Sequence, residues 1–297
     1  QCFCHNCLKA LVQPRQTSSA EIARLMVNRE VQDMYPKASV ELGPPLLQVR
    51  GLSLARRYRQ IDLEVRRGEI VGLTGLVGSG AKELFKTLFG VERADSGSVH
   101  LDGRLLRLRS PGQAIAAGIA LVPEERRSQG ISPALSVLEN LTLAGLGRFS
   151  RWGLLSRRQE QAQTLRLIDE LAIKAPGPHA AVSQLSGGNQ QKVALGKWLS
   201  RRSAVYLLDE PCVGVDVGAK VEIYRVIGRL VQEGAAVLVL SSDLPELLGI
   251  SDRIVVLHRG EIAAEFRAGE VDSDQLLACA TGASRASAGR AREVEHA

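Results

Sequence analysis

Three stretches of this chain have the residue types and spacing to handle a polyphosphate. The first is Leu185-Ser186-Gly187-Gly188-Asn189-Gln190-Gln191-Lys192-Val193. A Ser-Gly-Gly triplet opening a helix offers backbone N–H groups and a hydroxyl to an anion at the positive end of that helix. The second is the apolar run Ala204-Val205-Tyr206-Leu207-Leu208, which ends in Asp209-Glu210-Pro211. It reads as a buried strand delivering two carboxylates at its C-terminal tip. The third is Gly75-Leu76-Val77-Gly78-Ser79-Gly80-Ala81-Lys82, a glycine loop between a buried strand and a helix.

The glycine loop departs from the phosphate-binding pattern Gly-x-x-x-x-Gly-Lys-Ser/Thr, in which the lysine meets the β- and γ-phosphates and the hydroxyl holds Mg²⁺. Ala81 stands at the lysine position and Lys82 at the hydroxyl position. Successive helical residues point about 100° apart, so Lys82 is not expected simply to replace the missing lysine. Backbone N–H groups can still cradle a polyphosphate. Nucleotide binding is therefore expected at this loop, and fast hydrolysis is not.

The elements that must position these residues follow from the hydrophobic pattern. Leu46–Arg50 and Ile61–Val65 read as strands, the second with strict alternation. Glu69–Gly75 reads as a buried strand, Ala81–Phe89 as a helix, and Ser98–Leu101 as a strand before a turn at Asp102-Gly103. Residues 111–200 are mostly helical in pattern, including Ser156–Leu171. Beyond Glu210 the pattern predicts a helix at Val217–Gln232, a strand at Ala236–Leu240, a short helix at Leu244–Leu248, a strand at Arg253–Leu257 and a hairpin at Arg259-Gly260. Alternating strands and helices imply a parallel sheet, with a smaller antiparallel sheet formed by the early strands.

Composition narrows the class. Of 297 residues, 45% are hydrophobic and 24% charged, as in ordinary globular chains. No run of eighteen apolar residues occurs, so a membrane role would have to come through a partner. The net charge of +6 is spread over scattered arginine pairs, and only 4% of residues are aromatic. That combination argues against a nucleic-acid partner. Cys2, Cys4, His5 and Cys7 have no second Cys/His cluster downstream, so no zinc site is expected there. The chain opens with Gln rather than Met and reads as part of a longer product. Residues 1–43 lack the length to bury a core of their own, and the Ala-, Ser-, Arg- and Glu-rich residues 283–297 read as a disordered tail.

Ser-Gly-Gly followed by Asp-Glu at this spacing resembles the signature and Walker B motifs of ABC-type ATPases. The full stretches Leu185 to Lys192 and Asp209 to Lys220 sharpen the likeness, as do two further segments, Val122-Pro-Glu-Glu-Arg126 and Ser251-Asp-Arg-Ile-Val255. With the lysine-less glycine loop, they are similar to the second ATPase domain of bacterial importers for ribose, galactose and xylose. The likeness covers about residues 17–282: within residues 1–43, a remnant plus linker, Ile22–Pro36 resembles the end of a first domain while residues 1–16 do not match, and 44–282 form the second domain. It implies an α/β fold with a parallel-sheet core, a small antiparallel β subdomain and a helical subdomain carrying the signature.

The resemblance also implies roles for particular residues. ATP with Mg²⁺ would be the cofactor, held by Gly75, Gly78, Ser79, Gly80, Ala81 and Lys82. Glu124 stands where a glutamine is usual, and Ser242 where a histidine usually meets the γ-phosphate. Asp209 would hold Mg²⁺ indirectly, and Glu210 would be the general base that orients water. Asp216 follows in the loop after Walker B. Two such domains pack head to tail, so Ser186, Gly187, Gly188 and Asn189 would complete an ATP site on another ABC ATPase domain. The implied partners are membrane permease subunits and an external sugar-binding protein, with the chain peripheral on the cytoplasmic face of the membrane. The isolated chain would turn ATP over negligibly. An importer of nucleosides or other small solutes, or a soluble ABC protein outside transport, remains open as an alternative.

Overall fold

The computed structural model describes residues 35–37 and 40–283. The cysteine cluster at Cys2–Cys7 and residues 284–297 lie outside them.

Strand β1 (Pro45–Leu54) and strand β2 (Tyr58–Arg66) alternate buried and exposed residues. They pair antiparallel, with Leu47 opposite Val65 and Val49 opposite Leu63. Strand β3 (Ile70–Gly75) is apolar and buried almost throughout, as a strand covered on both faces must be. It runs through the glycine loop into helix α1 (Ala81–Leu88). Strands β4 (Ser96–Leu101) and β5 (Arg104–Leu106), joined by the turn at Asp102-Gly103, return to the first sheet and give it the order β2-β1-β4-β5. Helix α2 (Pro111–Ala117) leads into strand β6 (Ile119–Val122).

A helical layer follows. It contains α3 (Val137–Thr142), α4 (Leu146–Phe149), the two-residue strands β7 (Ser150–Arg151) and β8 (Leu154–Leu155), α5 (Arg157–Glu170) and α6 (Gly187–Leu199). Ser136 and Glu139 cap α3 reciprocally, which fixes its start. The chain then alternates through β9 (Val205–Asp209), α7 (Val217–Gln232), β10 (Ala236–Leu240), α8 (Leu244–Ile250), β11 (Arg253–His258), β12 (Glu261–Arg267) and α9 (Ser273–Thr281).

The central sheet has the order β12-β11-β3-β10-β9-β6 and is parallel except for β12. Its register decides where the chemistry sits. Leu240 of β10 lies opposite both Leu73 of β3 and Asp209 of β9, while Leu208 lies opposite Val122 of β6. The glycine loop, the Asp209-Glu210 pair, Ser241-Ser242 and Glu124 therefore all leave the sheet at its carboxyl edge, the usual ligand crevice of open α/β sheets.

The region 111–200 is less uniformly helical than its pattern suggests. β6 is a full member of the central sheet, and β7 and β8 form a small hairpin. Four apolar residues directly after a helix cannot be told from more helix by periodicity. Strand pairing with β9 decides the matter. Among the described residues no helix is long and apolar enough to cross a membrane.

Candidate functional site

The glycine loop is held in shape by its own backbone. The Ser79 N–H donates to the Leu76 carbonyl at 2.9 Å, and the Ser79 carbonyl accepts from the Gly260 N–H at 3.0 Å. Gly78 and Gly80 adopt φ of +83° and +93°, where side chains are strained. At Gly80 a Cβ would also lie 2.5 Å from the Arg57 carbonyl oxygen. α1 starts directly behind this turn, and its first N–H groups have no intrahelical partner. The loop thus ends at the positive pole of a helix. Ser79 and Ala81 are buried, whereas Lys82 is about half exposed at its side chain (48%).

Lys82 reaches across the mouth of the loop and forms an ion pair and hydrogen bond with the Glu124 carboxylate. That hydrogen bond raises the ammonium above the ordinary lysine value. Asp209 sits in the same field. Burial pushes its carboxyl up to about 6, opposed by the Lys82 charge, and its Oδ1 is buried without a hydrogen-bond partner. A lysine ammonium has three N–H donors and no lone pair. The donor set at this loop therefore does not fit the Mg²⁺ that the sequence pattern attaches to Asp209.

Glu210 follows Asp209 at φ +48°, an uncommon conformation for a side-chain-bearing residue. It is fixed by its N–H on the Leu240 carbonyl at 2.8 Å and by its carboxylate, which accepts from the Ser242 N–H at 2.8 Å. The residue is only 8% exposed, and burial raises its pKa. Ser242 thus meets Glu210 through its backbone. Behind it, Ser241 donates to Glu246, which also accepts from the Tyr224 hydroxyl at 2.9 Å. Sequence reasoning missed this buried triad, because it joins Tyr224 of α7, Ser241 beyond β10 and Glu246 of α8, which no single motif spans.

The signature residues form a second cluster. Ser186 stands at the N-cap position of α6, its hydroxyl accepts from Asn189 Nδ2 at 2.8 Å, and Asn189 Oδ1 accepts from the Lys174 N–H at 2.8 Å. A Cβ on Gly187 would lie 2.8 Å from Arg126 Nη2, and one on Gly188 would lie 2.7 Å from the Ala219 Cβ. Asp216 caps α7 by accepting from the Ala219 N–H at 3.0 Å. Arg126 ties the cluster together by donating to the Val213 carbonyl at 2.9 Å. In the sequence it stood out only as the end of the Val122–Arg126 segment, with nothing to indicate this contact. Among the described residues, Ser186–Asn189 make no hydrogen bond to Gly75–Lys82. No group of three or more His, Cys, Asp and Glu able to hold a metal ion occurs among the described residues.

The sequence model of the family described as ABC transporter matches residues 58–213, from β2 through the glycine loop and signature to the loop beyond Glu210. The chain belongs to the ABC transporter family. Among curated relatives, the ribose import ATP-binding protein RbsA of Pseudomonas putida is 67% identical over 277 residues, covering 93% of this chain and 54% of that protein. RbsA of Cereibacter sphaeroides is 51% identical, with 92% and 54% covered. The chain thus spans about half the length of the curated relatives it matches. Among solved structures, a nucleotide-free ATP-binding cassette from an ABC transporter superposes with a TM-score of 0.68 at 20% identity, covering 78% of this chain and 98% of that one. A dimeric ATP-binding cassette in a post-hydrolysis state with ADP and Pi gives 0.64 at 21% identity, covering 75% and 99%. At these identities the likeness is one of fold: a parallel-sheet ABC cassette with an antiparallel sheet beside it.

Proposed function

We propose that this chain is the second ATPase domain of the energy-coupling subunit of a bacterial importer for a simple sugar. The observation that carries the reading is the 67% identity, along 93% of the chain, to a ribose import ATP-binding protein. The chain spans about half the length of that relative, which supports a head-to-tail arrangement with another ABC ATPase domain. In that arrangement Ser186, Gly187, Gly188 and Asn189 close over ATP and Mg²⁺ held by the partner domain's own loop. Gly75–Lys82 binds a second nucleotide, which it hydrolyses poorly for want of the lysine at Ala81.

Closure of the two domains is the step that does work on the permease. Residues Glu124–Gly130, a tight turn ending on the buried Gly130, are the proposed seat for a permease helix. An external sugar-binding protein selects the cargo, and the ATPase lies peripherally on the cytoplasmic face. Catalysis belongs to the assembled complex, in which Glu210 orients water only inefficiently.

The test is reconstitution. The whole subunit, its permease and its binding protein in vesicles should show ribose-stimulated ATP hydrolysis and ribose uptake. Stimulation by nucleosides instead of sugars would replace this reading with that of a nucleoside importer. Co-purification with ribosomes or DNA in place of a permease would remove transport altogether.

A further inference from the structure

In phosphate loops of this kind two protein groups hold Mg²⁺, directly or through water: the hydroxyl that follows the loop lysine and the aspartate at the tip of the neighbouring strand. The first is altered here and the second is kept. Lys82 occupies the hydroxyl position, and its ammonium is already paired with Glu124 at the mouth of the loop. Asp209 occupies the aspartate position, half-buried and with its Oδ1 lacking a hydrogen-bond partner, so the departure from the pattern lies at Lys82.

We infer that Lys82 stands in for the divalent cation, so that Gly75–Lys82 takes a nucleoside triphosphate free of Mg²⁺ with the Lys82 ammonium as its counter-charge. The inference rests on the reading of this loop as a nucleotide site. Three features support it. Mg²⁺ demands an octahedral set of oxygens, and an ammonium supplies none. A doubly charged ion beside that ammonium would be repelled, whereas the triphosphate needs positive charge that Ala81 no longer provides. Lys82 has a flexible four-carbon stem and is half exposed, so it can turn from Glu124 to a phosphate oxygen without disturbing the core.

The experiment is a calorimetric titration of the full chain with ATP, once in excess EDTA and once in excess Mg²⁺. The wild type should bind at least as tightly in EDTA as in Mg²⁺. Lys82→Thr, which restores the hydroxyl, should bind at least tenfold more weakly in EDTA and regain affinity with Mg²⁺. Lys82→Met, which keeps the stem and loses the charge, should bind weakly in EDTA. Thermal melts of both variants would check that they fold. Wild-type binding more than threefold tighter in Mg²⁺ overturns the inference while leaving the nucleotide site intact, as does unchanged binding of Lys82→Met in EDTA. Absence of ATP binding under both conditions overturns the nucleotide site itself, and the inference with it.

Discussion

Gly188 at the start of α6 and Ala219 in the first turn of α7 approach so closely that a Cβ on the glycine would stand 2.7 Å from the alanine's. The signature glycines therefore serve two demands. One is the approach of a phosphate from outside, as proposed above; the other is the packing of two helix starts inside this chain. Gly188→Ala should destabilise the fold by about 1–3 kcal/mol through overpacking. Adding Ala219→Gly should recover most of that loss, less about 1 kcal/mol for a glycine within a helix. Urea unfolding of the single and double variants measures both terms. Failure of Ala219→Gly to rescue would show that the close approach is not what restricts Gly188.

Asp209 gives a pH-dependent expectation. Its folded pKa of about 6 lies above the unfolded value of 3.8, because burial disfavours the carboxylate. A raised acid contributes stability that is fully present below the unfolded pKa and lost as pH rises through the folded one. Asp209→Asn should accordingly stabilise the chain by about 1–3 kcal/mol near neutral pH, with the gain shrinking to nothing below about pH 4. Urea midpoints across that range would check it. A gain independent of pH would separate it from ionisation.

Lys197 works in the alkaline range. It is nearly buried, donates to the Gly130 carbonyl at 2.6 Å and lies 5.1 Å from the centre of the Trp198 ring. Burial still pushes it down, from 10.5 to about 8. The unfolded chain then binds more protons than the folded one between these values, so the wild type gains stability as pH rises through that window. Measured against Lys197→Met, the gain should approach about 3 kcal/mol at most. A flat difference between wild type and variant from pH 8 to above pH 10 would contradict this.

How much of this was legible in the sequence depended on whether the determining contacts were local. The bounds read for α7 and β10 are those observed, because an amphipathic stripe and an apolar run flanked by Glu233-Gly234 signal themselves. β6 was invisible, since only its pairing with β9 makes four apolar residues a strand. Within the site, the displacement of lysine from position 81 to 82 could be read directly. Its partner could not, because the Lys82–Glu124 pair joins residues 42 positions apart. The same holds for Arg126, which reaches 87 positions along the chain to the Val213 carbonyl. Motif positions name the candidates; the sheet register decides which of them meet.

The division of labour between the two clusters can be tested at residues that tolerate substitution. Ser186 is exposed at the N-cap position of α6 without a capping bond from its hydroxyl, and aspartate is as well suited to that position as serine, so Ser186→Asp should leave the fold intact. It does add a negative charge where the proposed arrangement sets the partner domain's γ-phosphate. Lys82→Glu reverses the one cation that the glycine loop presents. In the reconstituted importer, Ser186→Asp should reduce sugar-stimulated ATP hydrolysis by two orders of magnitude or more. Lys82→Glu should lower it only severalfold, because the nucleotide it expels is one that turns over slowly. Equal losses would mean two equivalent sites. A larger loss from Lys82→Glu would move the catalytic site to Gly75–Lys82 and leave Ala81 without the consequence argued for it here.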